Sequence, residues 1–177
     1  GRDKWAMTCL EKCLSYRGHV VIDADALNLM AKSEFKIKGK AILTPHEGEA
    51  GVLLSEKSKK VSENRFLAIK KLYEKYRQHI LLKGAGSLIK QEDKKIKIVN
   101  HACACLAVAG SGDVLSGMIG GLLAQGLAPE DAMQEALLIH IQIGLHHQMI
   151  NHGRGIMASE MIETIPIIKN TKGVRYE

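Results

Sequence analysis

The apolar residues of this chain come in short blocks set off by polar turns, and block length decides what each becomes. "HVVID", "AILTP", "HILLK" and "SLIK" hold only a few consecutive apolar residues each. Runs this short, without strict alternation, fit strands buried on both faces better than helices. Two of them lead straight into helical patterns. A strand over residues 20–23 precedes a helix from about Ala26, and a strand over residues 41–43 precedes a helix that opens at "TPHE". There Thr44 and Glu47 form a T-x-x-E capping box, with Pro45 at the first helical position. In "SENRFLAIKKLYEKYR" the residues Phe66, Ile69, Tyr73 and Tyr76 share one helical stripe, capped by Ser62.

Two strands then flank Lys83-Gly84-Ala85-Gly86, and "QEDKK" turns the chain into a strand over residues 96–99. "AGSGDVLSGMIGGLLAQG" is a glycine-rich loop followed by a helix. A long apolar helix starts at Pro129, with Glu130 and Asp131 in its first turn, and a last short helix ends at Pro166. Strands alternating with helices predict a largely parallel sheet covered on both faces.

Composition narrows the class. At 177 residues, 46% hydrophobic and 25% charged, the chain can bury one substantial core and is read as a single domain. No run of roughly 18 apolar residues marks a membrane span, and "GRDKWAMTCLEK" lacks the plan of a secretory signal. Because the first residue is Gly1 and not Met, a longer polypeptide is expected. The net charge of +6 is dispersed, and few aromatics accompany it. That argues against a nucleic-acid partner and suits attraction of an anionic small molecule. Cys9, Cys13, Cys103 and Cys105 match no zinc-ligand spacing, nor do the eight histidines. Reduced thiols in a cytoplasmic protein are expected, and no metal-ligand set.

Ligands of such folds bind outside the carboxyl ends of the strands, and there the unusual polar residues gather. Asp23-Ala24-Asp25 follows the first strand, His46 the second, Lys83 the third, and Asp113 closes a later loop. The aspartate pair reads either as caps or as a contact to Mg²⁺-bound water or a substrate hydroxyl. The capping box leaves His46 unexplained, and a neutral imidazole there has one donor and one acceptor for a polar ligand. Lys83-Gly84-Ala85-Gly86-Ser87 allows backbone to approach a phosphate or ribose closely, although its order is not that of a Walker A loop. Gly110-Ser111-Gly112 offers helix-terminal amides to an anion, yet Asp113 adds a negative charge to the same turn. One division of labour resolves the conflict. The amides face a transferring phosphoryl group, and the carboxylate takes the proton of the hydroxyl that attacks it.

With those residues assembled, "VIDADALNLMAK", "ILTPHEGEAGVLL", "ILLKGAGSLI", "AGSGDVLSGMIGGLLAQGL" and "GRGIMASEMIETIP" resemble, in this order, the ADP/ATP-dependent NAD(P)H-hydrate dehydratases. These are ribokinase-like proteins of the YjeF carbohydrate-kinase type. The resemblance implies a three-layer α/β/α sandwich with a mostly parallel sheet. It implies repair of hydrated NADH or NADPH, in which ADP or ATP with Mg²⁺ phosphorylates the ring hydroxyl and phosphate is then eliminated. It makes Asp113 the catalytic residue. His46, Asp25, Asn28 and Asp113 would contact the dinucleotide, while Lys83, Gly84, Ala85, Gly86, Ser87, Gly110, Ser111 and Gly112 would hold the nucleotide.

Ser87 stands where the family has threonine, and "HACACLAVAGSGD" replaces a more glycine-rich polar stretch. Family members begin earlier, with strands and a G-P-G-L-G turn of which Gly1 would be the last glycine. The domain is therefore expected to lack its N-terminal strands over residues 1–177. An N-terminal NAD(P)HX epimerase domain in the same polypeptide, and a homo-oligomer, are both left open. Two rival readings share the motif chemistry: a small-molecule kinase of sugar or vitamin-precursor type, and a nucleotide-binding module without turnover.

Overall fold

In the computed structural model, which describes residues 1–33, 35–92, 94–101, 103–151 and 155–170, the apolar blocks line up as one five-stranded sheet. Asp93 of the QEDKK turn, Ala102 of the cysteine segment, Gly153 and Arg154, and residues 171–177 of the expected domain lie outside the described residues. The strands His19–Ile22 (β1), Lys40–Leu43 (β2), His79–Leu82 (β3), Ser87–Lys90 (β4) and Lys97–Val99 (β5) sit side by side in chain order. β1, β2 and β3 are parallel, with Val21 opposite Ile42 and Ile42 opposite His79. β4 and β5 are antiparallel to their neighbours, with Leu81 opposite Ile89 and Leu88 opposite Ile98. The expectation of a mostly parallel sheet therefore holds for the first three strands only. Parallel pairing needs a crossover of a dozen or more residues. The links after β3 and β4 are too short for one, so the chain doubles back.

Alternation along each strand separates the two sides. Ala41, Leu43, Ile80, Leu82 and Leu88 face one way and pack against Lys4–Leu14 (α1), Asp25–Lys32 (α2), Glu47–Leu54 (α3), Ser58–Glu63 (α4) and Arg65–Tyr76 (α5). Ile42, Leu81 and Ile89 face the other way, against Ser111–Ala124 (α6) and Pro129–Asn151 (α7). A third cluster joins Val114 of α6, Ile139 and Ile143 of α7 and Met161 of Ala158–Asn170 (α8) to Cys105 in the 3₁₀ turn Ala104–Leu106. This is a three-layer α/β/α sandwich. Ile42, Leu43, Ile80, Leu81 and Leu82 are fully buried. Each buried Leu or Ile there contributes about 1.5–3 kcal/mol. No helix among the described residues is long and apolar enough to cross a membrane.

Several local expectations are corrected. The helix after β2 starts at Glu47, and its capping box pairs His46 with Glu49. Thr44 is buried instead, with its hydroxyl donating to the Ile22 carbonyl at 3.3 Å. Asn64, not Ser62, caps α5, accepting from the Leu67 amide at 3.0 Å. Ser62 lies in α4, where its hydroxyl bonds Glu47 and the Ser58 carbonyl. That start turns Ala68, Ile69 and Leu72 inward and leaves Phe66 52% exposed. Pro166 does not end the last helix but lies inside α8. A proline there removes one rung of the ladder without forcing a stop when packing holds the chain on both sides.

Candidate active site

The carboxyl ends of β1, β2 and β3 meet the N-terminus of α6, and the polar residues there form a connected network. Asp23, just after β1, accepts from Lys83 Nζ at 2.7 Å, from Ser116 Oγ at 2.8 Å and from the Ala24 amide at 2.9 Å. Lys83, just after β3, also lies 3.8 Å from Glu49 Oε2. Glu49 is 8% exposed and accepts the His46 amide at 2.8 Å. The Lys83 amide in turn donates to the Pro45 carbonyl at 2.8 Å. Each side chain is partly buried and oppositely charged partners are paired, as removal of charges from water requires. The sequence points to Asp23 and Lys83 separately, but not to Ser116 or to the Lys83 contact of Glu49, whose partners are distant in the chain.

Asp23-Ala24-Asp25 carries local strain, because Ala24 has φ 51° and ψ −125°. A non-glycine residue there costs about 1–3 kcal/mol and persists only where its surroundings hold it. Neither aspartate caps α2; the cap position is Ala24, without a side-chain bond. Asp25 instead meets Arg2 at 2.5 Å, and that hydrogen bond holds its carboxyl below the ordinary range. Asn28 bonds the Ala24 carbonyl at 3.2 Å. Both thus flank the strained turn.

His46 is the N-cap of α3. Its Nδ1 accepts from the Gly48 amide at 2.9 Å and the Glu49 amide at 3.3 Å. The expected pair of ligand-facing nitrogens is therefore halved: Nδ1 belongs to the helix. An accepting Nδ1 carries no proton, so the ring hydrogen of the neutral form sits on Nε2. That nitrogen lies 3.5 Å from Glu49 Oε1 on a side chain 58% exposed.

At α6, Gly110 has φ 83° and a Cβ on it would stand 2.9 Å from the Ala158 Cβ. Glycine is required there by backbone and by space. A Cβ on Gly112 would stand 3.3 Å from Lys83 Nζ, so the helix start rests on the Lys83–Asp23 pair. The Gly112 and Asp113 amides have no acceptor among the described residues, as the first turn of a helix leaves them. Ser111 is buried and its hydroxyl meets His140 Nε2 of α7 at 2.9 Å. Burial pushes the His140 pKa down to about 4, so a neutral imidazole supports the loop. The sequence signal for His140 is a histidine within a mostly apolar helix, which by itself assigns it no role. Asp113 is exposed, takes no part in capping, and lines a groove of about 480 Å³ between α6 and α8, with Gly110, Val114 and Gly117 beside it.

The hairpin Lys83 to Ser87 is also built as expected, with Gly84 and Ala85 at its exposed tip and Ser87 Oγ donating to the Gly84 carbonyl at 3.3 Å. Arg65 beneath it was missed. Its Nη1 donates to the carbonyls of Ala85 and Gly86, both at 2.8 Å, and its Nη2 to those of Leu82 and Lys83, both at 3.3 Å. Nε lies 3.2 Å from Glu47 Oε1, an ion pair without hydrogen-bond alignment. A clue was present: Arg65 opens α5, where the macrodipole disfavours a cation unless something specific holds it.

The three-layer sandwich has the ribokinase-like fold, with a glycine-rich helix start, an exposed aspartate in its first turn and a lysine-bearing hairpin at one sheet edge. The ribokinase-like superfamily protein of Enterococcus faecalis V583 superposes with a TM-score of 0.81 at 21% identity, over 96% of this chain and 60% of that one. The model of the NAD(P)H-hydrate dehydratase family matches residues 1–167, and the chain belongs to that family. The ADP/ATP-dependent NAD(P)H-hydrate dehydratase of Bacillus subtilis, co-crystallised with ATP/Mg²⁺, superposes with a TM-score of 0.85 at 25% identity, over 95% of this chain and 60% of that one. The bifunctional NAD(P)H-hydrate repair enzyme Nnr of Coxiella burnetii is 38% identical over 170 residues, 96% of this chain. The chain spans 35% of that relative's length.

Proposed function

We propose that this site dehydrates hydrated NADH or NADPH at the expense of ADP or ATP, as a hydro-lyase. The observation that carries the reading is the state of Asp113. Its carboxylate has no capping duty, is exposed beside the free Gly112 and Asp113 amides, and faces an open groove. An acid kept only to stabilise the helix would work equally well on any outward position of that turn.

In this reading Asp113 removes the proton from the C6 hydroxyl of the damaged ring as its oxygen bonds to the terminal phosphoryl group. The amides of Gly112 and Asp113 stabilise the charge on the phosphoryl oxygens, with Gly110 and Ser111 shaping the turn. The C–O bond to the new phosphate then breaks and the adjacent ring carbon loses a proton, which restores the double bond of the dihydronicotinamide. Lys83, Gly84, Ala85, Gly86 and Ser87 hold the nucleotide. His46 offers its Nε2 hydrogen to the dinucleotide, and Asp25 and Asn28 border the same end of the sheet.

No group of three or more His, Cys, Asp or Glu positioned for a metal occurs among the described residues. Mg²⁺ would then arrive on the nucleotide, with phosphates as its main ligands and at most one or two carboxylates, which is its usual habit. Asp23 Oδ2 would stand 3.6 Å from a Cβ on Gly112 at the α6 start, and it already holds Lys83 and Ser116. The metal would supply neutralisation of phosphate charge. The Coxiella relative is called a bifunctional repair enzyme, which supports a second activity in the same polypeptide; in our reading that activity is an NAD(P)HX epimerase. The free thiols of Cys9, Cys13, Cys103 and Cys105 suit the reducing cytoplasm.

The test is product analysis. Hydrated NADH incubated with the protein and ADP or ATP should return NADH and inorganic phosphate in equal amounts. A stable phosphoester would mean a small-molecule kinase, and nucleotide binding without phosphate release would mean a module without turnover.

A further inference from the structure

Resting on the nucleotide reading of the Lys83–Ser87 hairpin, we propose that Arg65 is the positioning residue that makes this hairpin able to bind an anion. A tight turn presents carbonyl oxygens as readily as amides, and a carbonyl dipole aimed at a phosphate repels it. Here four carbonyls, those of Leu82, Lys83, Ala85 and Gly86, converge on one guanidinium. The amides of Gly84, Ala85 and Gly86 have no acceptor among the described residues. Arg65 thus draws the negative ends of the turn inward and leaves its positive ends for a ligand.

Only an arginine has the donors for this. Its planar fork presents five N–H groups in fixed directions, whereas a lysine ammonium is a point charge with three. The fit is close, since a Cβ on Gly84 would stand 2.6 Å from Arg65 Nη2 and 3.0 Å from Cζ. The side chain is 16% exposed and its remaining face meets Glu47, the residue after His46. Arg65 therefore ties the nucleotide hairpin to the segment that carries the substrate histidine. Substitution of Gly84 acts on nucleotide binding through this guanidinium as well as through the backbone.

The experiment compares Arg65→Ala, Arg65→Lys and the wild type in the full chain. Affinity for ADP and for ATP is measured by calorimetry, and affinity for hydrated NADH separately, with melting temperature alongside. Loss of several hydrogen bonds to a charged donor should weaken nucleotide binding roughly ten- to hundredfold, while dinucleotide binding changes much less. Guanidinium ion at millimolar levels should restore part of the nucleotide affinity of Arg65→Ala, and equimolar sodium chloride should not. Arg65→Lys should stay impaired despite its charge. Wild-type nucleotide affinity in Arg65→Ala would overturn the inference alone. So would an equal loss for both ligands without guanidinium rescue, which is the mark of a merely structural role. A wild-type protein that binds neither ADP nor ATP would overturn the nucleotide reading, and this inference with it.

Discussion

Asp113 and His46 show how differently two residues can sit in equally conspicuous motifs. Asp113 was read as the base of a phosphoryl transfer, and it stands exposed without a capping role. Asp113→Asn keeps the shape and deletes the base. The expected loss in kcat is about 10²–10⁴-fold, with nucleotide affinity held or slightly improved because a negative charge leaves the phosphate site. Steady-state kinetics beside calorimetry checks this, and near wild-type kcat would reduce Asp113 to a first-turn acid. His46 stood out in the sequence because the capping box had been assigned to Thr44 and Glu47. In three dimensions the box is His46 with Glu49, so the imidazole has a structural duty as well. The sequence carried the right segment but not the register, because "TPHEGE" contains an acid three residues after Thr44 and another three after His46. Arg65 and His140 each show a local oddity in the sequence, a cation at a helix start and a histidine in an apolar helix, but not what that oddity does. Each matters through partners 17 to 29 residues away, and the local pattern does not name those partners.

Elements were easier to read than their joints. The hydrophobic blocks located the strands and most helices, though not the short α4, because an apolar run such as "ILL" has no stable place except between two layers. Apolar runs mark burial and say nothing of direction, so the antiparallel pairing beyond β3 is carried only by the shortness of the connecting turns, as the hairpin over residues 83–87 shows. The continuation of α8 past Pro166 was equally hidden, for packing overrode a local rule. Two predictions belong at this scale. Gly110→Ala forces a side chain into positive φ and against Ala158, where α6 and α8 meet. It should lower the melting temperature and weaken nucleotide binding together, because the same backbone turn sets the amides; thermal melts with a nucleotide titration check this. Ile69→Ala, in the fully buried face of α5, should cost about 2–5 kcal/mol of stability. Nucleotide affinity of the folded fraction should stay near wild type, as denaturant unfolding and calorimetry would show, because Arg65 at the helix start remains anchored by its own four bonds.

Across the whole molecule, the buried histidines set the response to acid. Burial lowers the His140 pKa from 6.5 to about 4 and moves His79 in the same direction. The unfolded chain takes up these protons near pH 6.5 and the folded chain only at lower pH. Stability is therefore full above that range and falls as pH drops through it, by up to about 3 kcal/mol for His140 alone. His140→Leu should flatten the dependence of melting temperature on pH between 6.5 and 4, with His79 supplying what remains. The proposed function has one sheet edge hold an acid, a helix start and a charged hairpin around a single reaction. Its central claim is that the ring oxygen itself becomes part of the released phosphate, and isotope transfer tests that most directly. Hydrated NADH with heavy oxygen in its ring hydroxyl is turned over with ATP, and the phosphate is analysed by mass spectrometry. The account predicts one heavy oxygen in each phosphate released, with NADH restored in equal amount. Unlabelled phosphate, with the heavy oxygen recovered in water, would contradict it.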